Sequence, residues 1–189
     1  MKTRKERALK KNGALKGNEV EMKVNRCEER RGVDLPPLDL AAAPTLKALT
    51  IRAPWAWAIA EGWKRVENRS WATRFRGRIA IHAAVSKESD ADAAATFAAL
   101  GLEPPTEFVR GAIIGTVELV DILPLDEFLR RFGDDRFDRE FAFGPLCWVL
   151  REPRLCVPTP CSGNFQLWSV ARRLELDRER AERRKNGNK

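Results

Sequence analysis

The longest β pattern in this chain runs from Ala112 to Leu123, Ala-Ile-Ile-Gly-Thr-Val-Glu-Leu-Val-Asp-Ile-Leu. So apolar a run needs neighbouring strands and a layer to cover its buried face. Candidate neighbours surround it. Leu46 to Ile51 reads as a first strand. Arg78 to Ala84 sets Ile79, Ile81 and Ala83 against Ala80, His82 and Ala84, a strand alternation. Cys147 to Leu150 and Arg154 to Val157 read as two strands parted by Glu152-Pro153, and Phe165 to Ala171 as a final one. Lys64 to Ser70 is short and alternating, a strand or an extended loop. Helices fall between. Pro54 suits the first position of a helix from about 54 to 61, which Gly62 stops. Ser86 is a candidate N-cap for an alanine-rich helix running to about Leu100 and closed by Gly101. Leu125 to Phe132 is a short third helix. The pattern predicts a strand-rich α+β fold: a small curved or closed mixed β-barrel with two or three flanking helices.

Charge sets the limits of that core. The 189 residues carry a net +8, of which +6 lies in residues 1–31 and +4 in residues 172–189, leaving −2 for the middle. The expected organisation is a basic, disordered tail and proline-containing linker over 1–45, a domain over 46–171, and a charged, partly helical tail over 172–189 that ends in a disordered Asn186-Gly187-Asn188-Lys189. The basic pI therefore belongs to the ends. Within the middle, residues 52–78 hold a local +5, a stronger nucleic-acid signal than bulk charge. The four cysteines, Cys27, Cys147, Cys156 and Cys161, form no CxxC pair, and His82 is the only histidine. A zinc site is not expected, and free thiols in a reducing cytoplasm are. No secretory signal or membrane-spanning run is read, so the expected location is cytoplasmic, with no membrane partner.

The chemistry concentrates in Gly62-Trp63-Lys64-Arg65-Val66-Glu67-Asn68-Arg69, a GxKxxExR sequence. A regular strand would put Glu67, Arg69 and Trp71 on one face and Lys64, Val66 and Asn68 on the other. Lys64 follows Gly62, so it can instead project from the turn and still reach the cleft. Glu67 is expected to pair with Arg69 or Lys64, and two cations around one carboxylate form a rigid unit with positive charge to spare. A surface ion pair is the other reading of the same residues. Trp63 and Trp71 flank the motif and could stack on a base, whereas Trp55, Trp148 and Trp168 read as core. Arg74, Arg76 and Arg78 lie in a loop where phosphate contact and plain solvation are equally open. His82 reads as a structural histidine, with a hydrogen bond at a cleft as its other role.

Four segments taken in order resemble the ASCH domain (activating signal cointegrator homology). They are Leu49-Thr50-Ile51-Arg52-Ala53-Pro54-Trp55-Ala56, Gly62-x-Lys64-x-x-Glu67-Asn68-Arg69-Ser70-Trp71, Gly77-Arg78-Ile79-Ala80-Ile81-His82-Ala83, and Gly111-Ala112-Ile113-Ile114-Gly115. The resemblance spans about 46–171. It implies a PUA-like barrel and a cleft, lined by the GxKxxExR segment, that takes RNA or a nucleobase. The ligand-contacting set is then Trp63, Lys64, Glu67, Arg69, Trp71, Arg74, Arg76 and His82. The family also implies two hydrolase alternatives. One is an amidohydrolase acting on a modified nucleoside such as acetylated cytidine, with Lys64 and Glu67 as catalytic groups. Glu67 stands where that branch has a threonine nucleophile, and a carboxylate does not replace a hydroxyl. The other is a ribonuclease, the only reading that calls for a divalent metal; otherwise no cofactor and no metal ligand are expected. The expected partner is RNA or a modified nucleobase or nucleoside.

Overall fold

The computed structural model describes residues 34–186; the expectations for residues 1–31, for Cys27 and for 187–189 lie outside it. The elements are β1 (Lys47–Arg52), α1 (Ala53–Ala60), β2 (Val66–Arg69), β3 (Gly77–Ala84), α2 (Asp90–Leu100), β4 (Ala112–Pro124), α3 (Leu125–Phe132), α4 (Arg136–Phe141), β5 (Leu146–Pro160), β6 (Leu167–Ser169) and α5 (Val170–Asn186). The six strands form one sheet in the order β2-β5-β4-β3-β1-β6. All neighbours are antiparallel except β1 and β3. The α+β mixed sheet is the curved arrangement expected, though five helices flank it rather than two or three.

Burial explains the curl. Leu49, Ile51, Ile79, Ile81, Val117, Leu119, Trp148 and Leu150 come from four different strands and share one core cluster with Ala53, Ala56, Ile59 and Ala60 of α1. Helix α1 is buried almost all round because five of its eight residues are alanine or proline, so it fits inside the curve of the sheet. Trp55 and Trp57 both set a ring edge against Phe97 of α2, with centroids 5.4 Å apart. The outer face of the sheet carries a second cluster of Leu46, Ala48, Ala80, Ile113, Cys156, Trp168 and Val170, covered by Leu38, Leu40 and Leu174.

Three boundaries differ from the sequence reading. Strand β5 is continuous through Glu152-Pro153, because Glu152 takes a positive φ of 47° where the pairing with β4 shifts register. An irregularity of this kind admits a proline without ending a strand. Helix α2 starts at Asp90 behind Ser89, not behind Ser86, whose position still belongs to the chain leaving β3. The final strand keeps only Leu167–Ser169; Phe165 stays in the preceding loop and Val170 already opens α5.

Candidate functional site

The two ends of the sheet order nearly meet, and the site lies in the gap. Strand β6 pairs with β1 only at Lys47, Ala48 and Leu49. Beyond Leu49, the β1 edge from Thr50 to Arg52 has no strand beside it. Arg69, on edge strand β2 at the other end of the order, reaches across and donates from Nη2 to the Thr50 carbonyl at 2.9 Å. The result is an open cleft of about 850 Å³ between β2, the unpaired half of β1 and the loop from Gly163 to Gln166. Its lining includes Thr50, Arg52, Trp55, Lys64, Glu67, Asn68, Arg69, Trp71, Phe143 and Phe165.

The floor is a cation–anion–cation unit. Gly62 takes φ +85°, and its N–H caps α1 at the Ile59 carbonyl (3.0 Å), while the Lys64 N–H bonds to the Ala58 carbonyl at 2.9 Å. That left-handed turn, disfavoured for any residue with a Cβ, aims Lys64 inward before β2 begins. Lys64 Nζ then lies 3.1 Å from Glu67 Oε2 and also bonds to the Val66 carbonyl. Arg69 Nη2 is 3.1 Å from Glu67 Oε1. The carboxylate thus holds both cations, one on each oxygen. Lys64 is 2% exposed and Glu67 8%, so these two are buried and Arg69 is the most exposed member of the unit. Burial lowers the Lys64 pKa, and Glu67 opposes that shift. Asn68 organises the adjoining loop: its amide donates to the Phe141 carbonyl at 2.8 Å and accepts from the Phe143 and Gly144 N–H groups.

The opposite wall is the loop from Ser162 to Gln166. Thr50 Oγ1 accepts from the Asn164 N–H (3.2 Å) and from Trp168 Nε1 (3.1 Å). His82 Nε2 bonds with the Cys161 carbonyl at 3.0 Å. A Cβ on Gly163 would stand 2.8 Å from the His82 ring and 2.9 Å from Thr50 Oγ1, so only glycine lets this wall lie against the sheet. Two aromatic residues stand at the mouth, Phe143 at 69% and Phe165 at 92% exposure.

The eight residues singled out from sequence separate into two groups. Lys64, Glu67, Arg69 and Trp71 meet in the cleft; the Trp71 ring packs edge-on against Trp148 at 4.6 Å. Trp63, Arg74, Arg76 and His82 do not line it. Trp63 is buried and stacked on Phe137. Arg74 is exposed on the loop after Trp71, and Arg76 donates to the Thr73 and Phe75 carbonyls and pairs with Asp121. Arg78 pairs with Glu118 and Glu152. His82 is buried behind the Gly163 wall, with Nδ1 unpartnered and its pKa lowered by burial. Sequence reasoning missed Phe143, Phe165, Thr50 and Arg52. An exposed phenylalanine leaves no periodic signal; the turn at Ser162-Gly163-Asn164, which ends β5 and displays Phe165, was the available clue. Among the described residues no group of three or more His, Cys, Asp or Glu is placed to hold a metal ion, so the donor set does not fit a divalent cation. Cys147, Cys156 and Cys161 are free thiols, and no described helix is long and apolar enough to cross a membrane.

A curled, PUA-like α+β sheet plugged by a helix, with a charged and aromatic cleft where strand pairing stops, is the class of domain that fold and site define. The family model for the ASCH domain matches residues 49–158, and the chain belongs to that family. It is similar to human activating signal cointegrator 1, 32% identical over 129 residues, which cover 65% of this chain and 22% of that protein. The mouse protein of the same name gives 32% over 128 residues with the same coverage. The chain thus spans about a fifth of the length of the curated relatives it matches. The crystal structure of ASCH from Zymomonas mobilis aligns with 67% of this chain and 87% of its own, at 16% identity and a TM-score of 0.42.

Proposed function

We propose that the cleft binds one nucleotide of a single-stranded RNA, with the base between the aromatic residues of the mouth and the phosphate or a polar base edge at Arg69. The observation that carries this reading is the combination at one opening: two exposed phenylalanines, Phe143 and Phe165, above a floor of two cations and one carboxylate. Bases stack on exposed aromatic side chains, and a guanidinium held by a carboxylate is ready to donate to phosphate or carbonyl oxygen. Lys64 and Glu67 act beneath it, as the support that fixes Arg69. Trp55 and Trp71 also line the cleft and report its occupancy by fluorescence. The test is a titration of the full chain with an oligouridylate. Loss of one charge-assisted contact is worth about 1.5–3 kcal/mol, so Arg69→Ala should weaken binding roughly tenfold to a hundredfold. Unchanged affinity in a folded variant overturns the assignment.

One observation favours the hydrolase alternative on a modified nucleoside: burial lowers the Lys64 pKa, which is how a lysine becomes a proton acceptor. In that reading Lys64→Met leaves binding of an acetylated cytidine nearly intact and abolishes its turnover. In the binding reading the same substitution weakens binding, and no turnover is seen in either protein.

A further inference from the structure

Helix α5 starts at the end of the sheet remote from the cleft, where the Val170 N–H bonds to the Leu46 carbonyl. It then runs back over the outer face toward the cleft. Leu174 packs on the outer cluster, and Arg173 lies 6.0 Å from the Trp168 ring centroid. One turn on, Asp177 accepts from both the N–H (2.7 Å) and the hydroxyl (2.6 Å) of Ser162, the residue before the Gly163 wall. The last nine residues, 178–186, continue past that point, all exposed or half-buried, with a net charge of +3.

Helical geometry sets which charges face the cleft loop. Arg173, Arg180 and Arg184 fall within about 60° of Asp177 around the helix axis, so they share the face that Asp177 turns to Ser162. Arg178, Arg183 and Lys185 point elsewhere. Arg184 lies about 10 Å beyond Asp177 along the axis and has no carboxylate partner among the described residues; Arg180 has only a long contact of 3.8 Å with Asp177. A positive stripe therefore begins beside the cleft wall and leads outward from it.

We propose that this stripe is a second nucleic-acid site: Arg180 and Arg184 take backbone phosphates of the RNA strand whose nucleotide occupies the cleft. The proposal rests on the cleft reading above. The stripe is continuous with the cleft through the Ser162 contact, its charge is complementary to a polyphosphate, and extended grooves for single strands engage ~10 nucleotides. Phosphate contacts of this kind position the strand and carry no sequence information.

The test uses the full chain and two probes, uridine monophosphate and an oligouridylate of about ten nucleotides. Two double variants remove the same charge, one from the stripe (R180Q/R184Q) and one from positions off it (R178Q/R183Q). Each lost phosphate contact to a single strand removes about 0.7 from the slope of log affinity against log salt. R180Q/R184Q should therefore flatten the slope by about 1.4 and weaken the oligonucleotide about 25-fold at 0.1 M salt, measured against a 1 M reference. Mononucleotide affinity should stay unchanged, R178Q/R183Q should bind as the parent does, and R180K/R184K should restore most of the loss. Equal losses in the two glutamine variants mean bulk charge and overturn the stripe, as does failure of the parent chain to bind the oligonucleotide. Stripe-dependent binding of the oligonucleotide without any binding of the mononucleotide keeps the stripe and removes the cleft reading.

Discussion

Two cation–carboxylate clusters grow from the same short segment and end in opposite roles. Arg65 turns outward, where its Nε and Nη2 grip Asp138 at 3.1 and 2.7 Å, and Nη2 also meets Asp135 at 2.8 Å. Asp135 caps α4 by accepting from the Phe137 and Asp138 N–H groups, so the pair fastens that helix to β2. Every charged group there is committed to a partner, although Arg65 itself stays partly exposed. On the other side, Lys64, Glu67 and Arg69 use the same chemistry but face a gap in the sheet. Glu67 is saturated by its cations, whereas Arg69 keeps part of its guanidinium toward the cleft. Charge clustering alone does not separate an internal fastening from a binding floor; what lies above the outermost cation does.

That contrast can be broken by experiment. The largest effect is expected from Asp138→Ala, which removes the carboxylate that grips Arg65 at two nitrogens. Removing one partner of a fully buried pair costs about 3–5 kcal/mol. Arg65 is 34% exposed and keeps Asp135, so roughly 2 kcal/mol of stability should be lost in urea melts. RNA affinity should stay within about twofold under conditions where the variant is folded. A large affinity change with intact stability would place Arg65 in the site.

Phe165→Ala should do the reverse. The side chain is almost fully exposed, so stability should move by less than about 0.5 kcal/mol. A lost stacking platform should weaken oligouridylate binding by about 1–2 kcal/mol, measured by Trp fluorescence titration. Equal affinity in variant and parent would leave the mouth without a role.

Glu67→Gln comes third. It keeps the shape of the floor and releases Arg69 from its ionic hold, and affinity should fall by about 1 kcal/mol in the same titration. A gain in affinity would mean that the carboxylate had been repelling the ligand.

The smallest effect concerns pH. Burial holds the Lys64 pKa below the ordinary lysine value, so the folded state carries a penalty while the ammonium is charged. Between the folded and the ordinary pKa the unfolded chain binds more protons, and stability rises with pH across that window. The thiols of Cys156 and Cys161 have raised pKa values, the latter to about 11, and work against this at alkaline pH. The informative quantity is thus the difference between the parent and Lys64→Met in urea melts from pH 7 to 10. The stability of the parent minus that of the variant should rise with pH as the parent loses its charge penalty; a constant difference would mean that Lys64 stays charged throughout.

The sequence was legible where local rules act alone. Gly62 after an alanine-rich helix announced the turn, and the spacing of Lys64, Glu67 and Arg69 announced a shared carboxylate. The strands β1, β3 and β4 followed from alternation. The reading failed where tertiary context chose between local options. Pro153 looks like a break, yet the shifted register beside Glu152 carries β5 through it. Phe165 looks like a strand residue, yet the wall pinned at Asn164 leaves it in solvent. Trp63 is close in sequence to the motif but turns to Phe137, because the chain between Gly62 and β2 is not a regular strand. Phe143 depends on Asn68 holding a loop more than seventy residues away, a contact no spacing reveals.

The brevity of β6 has a consequence for how such domains diverge. The cleft occupies edge backbone that a longer β6 would have covered. Pairing Phe165 and Gln166 as well would seal it, and a β6 that began later would extend it past Leu49. The size of the ligand this scaffold admits is therefore adjustable by sliding the point at which one loop becomes strand, without altering the helix plug, the interior packing or the charged floor.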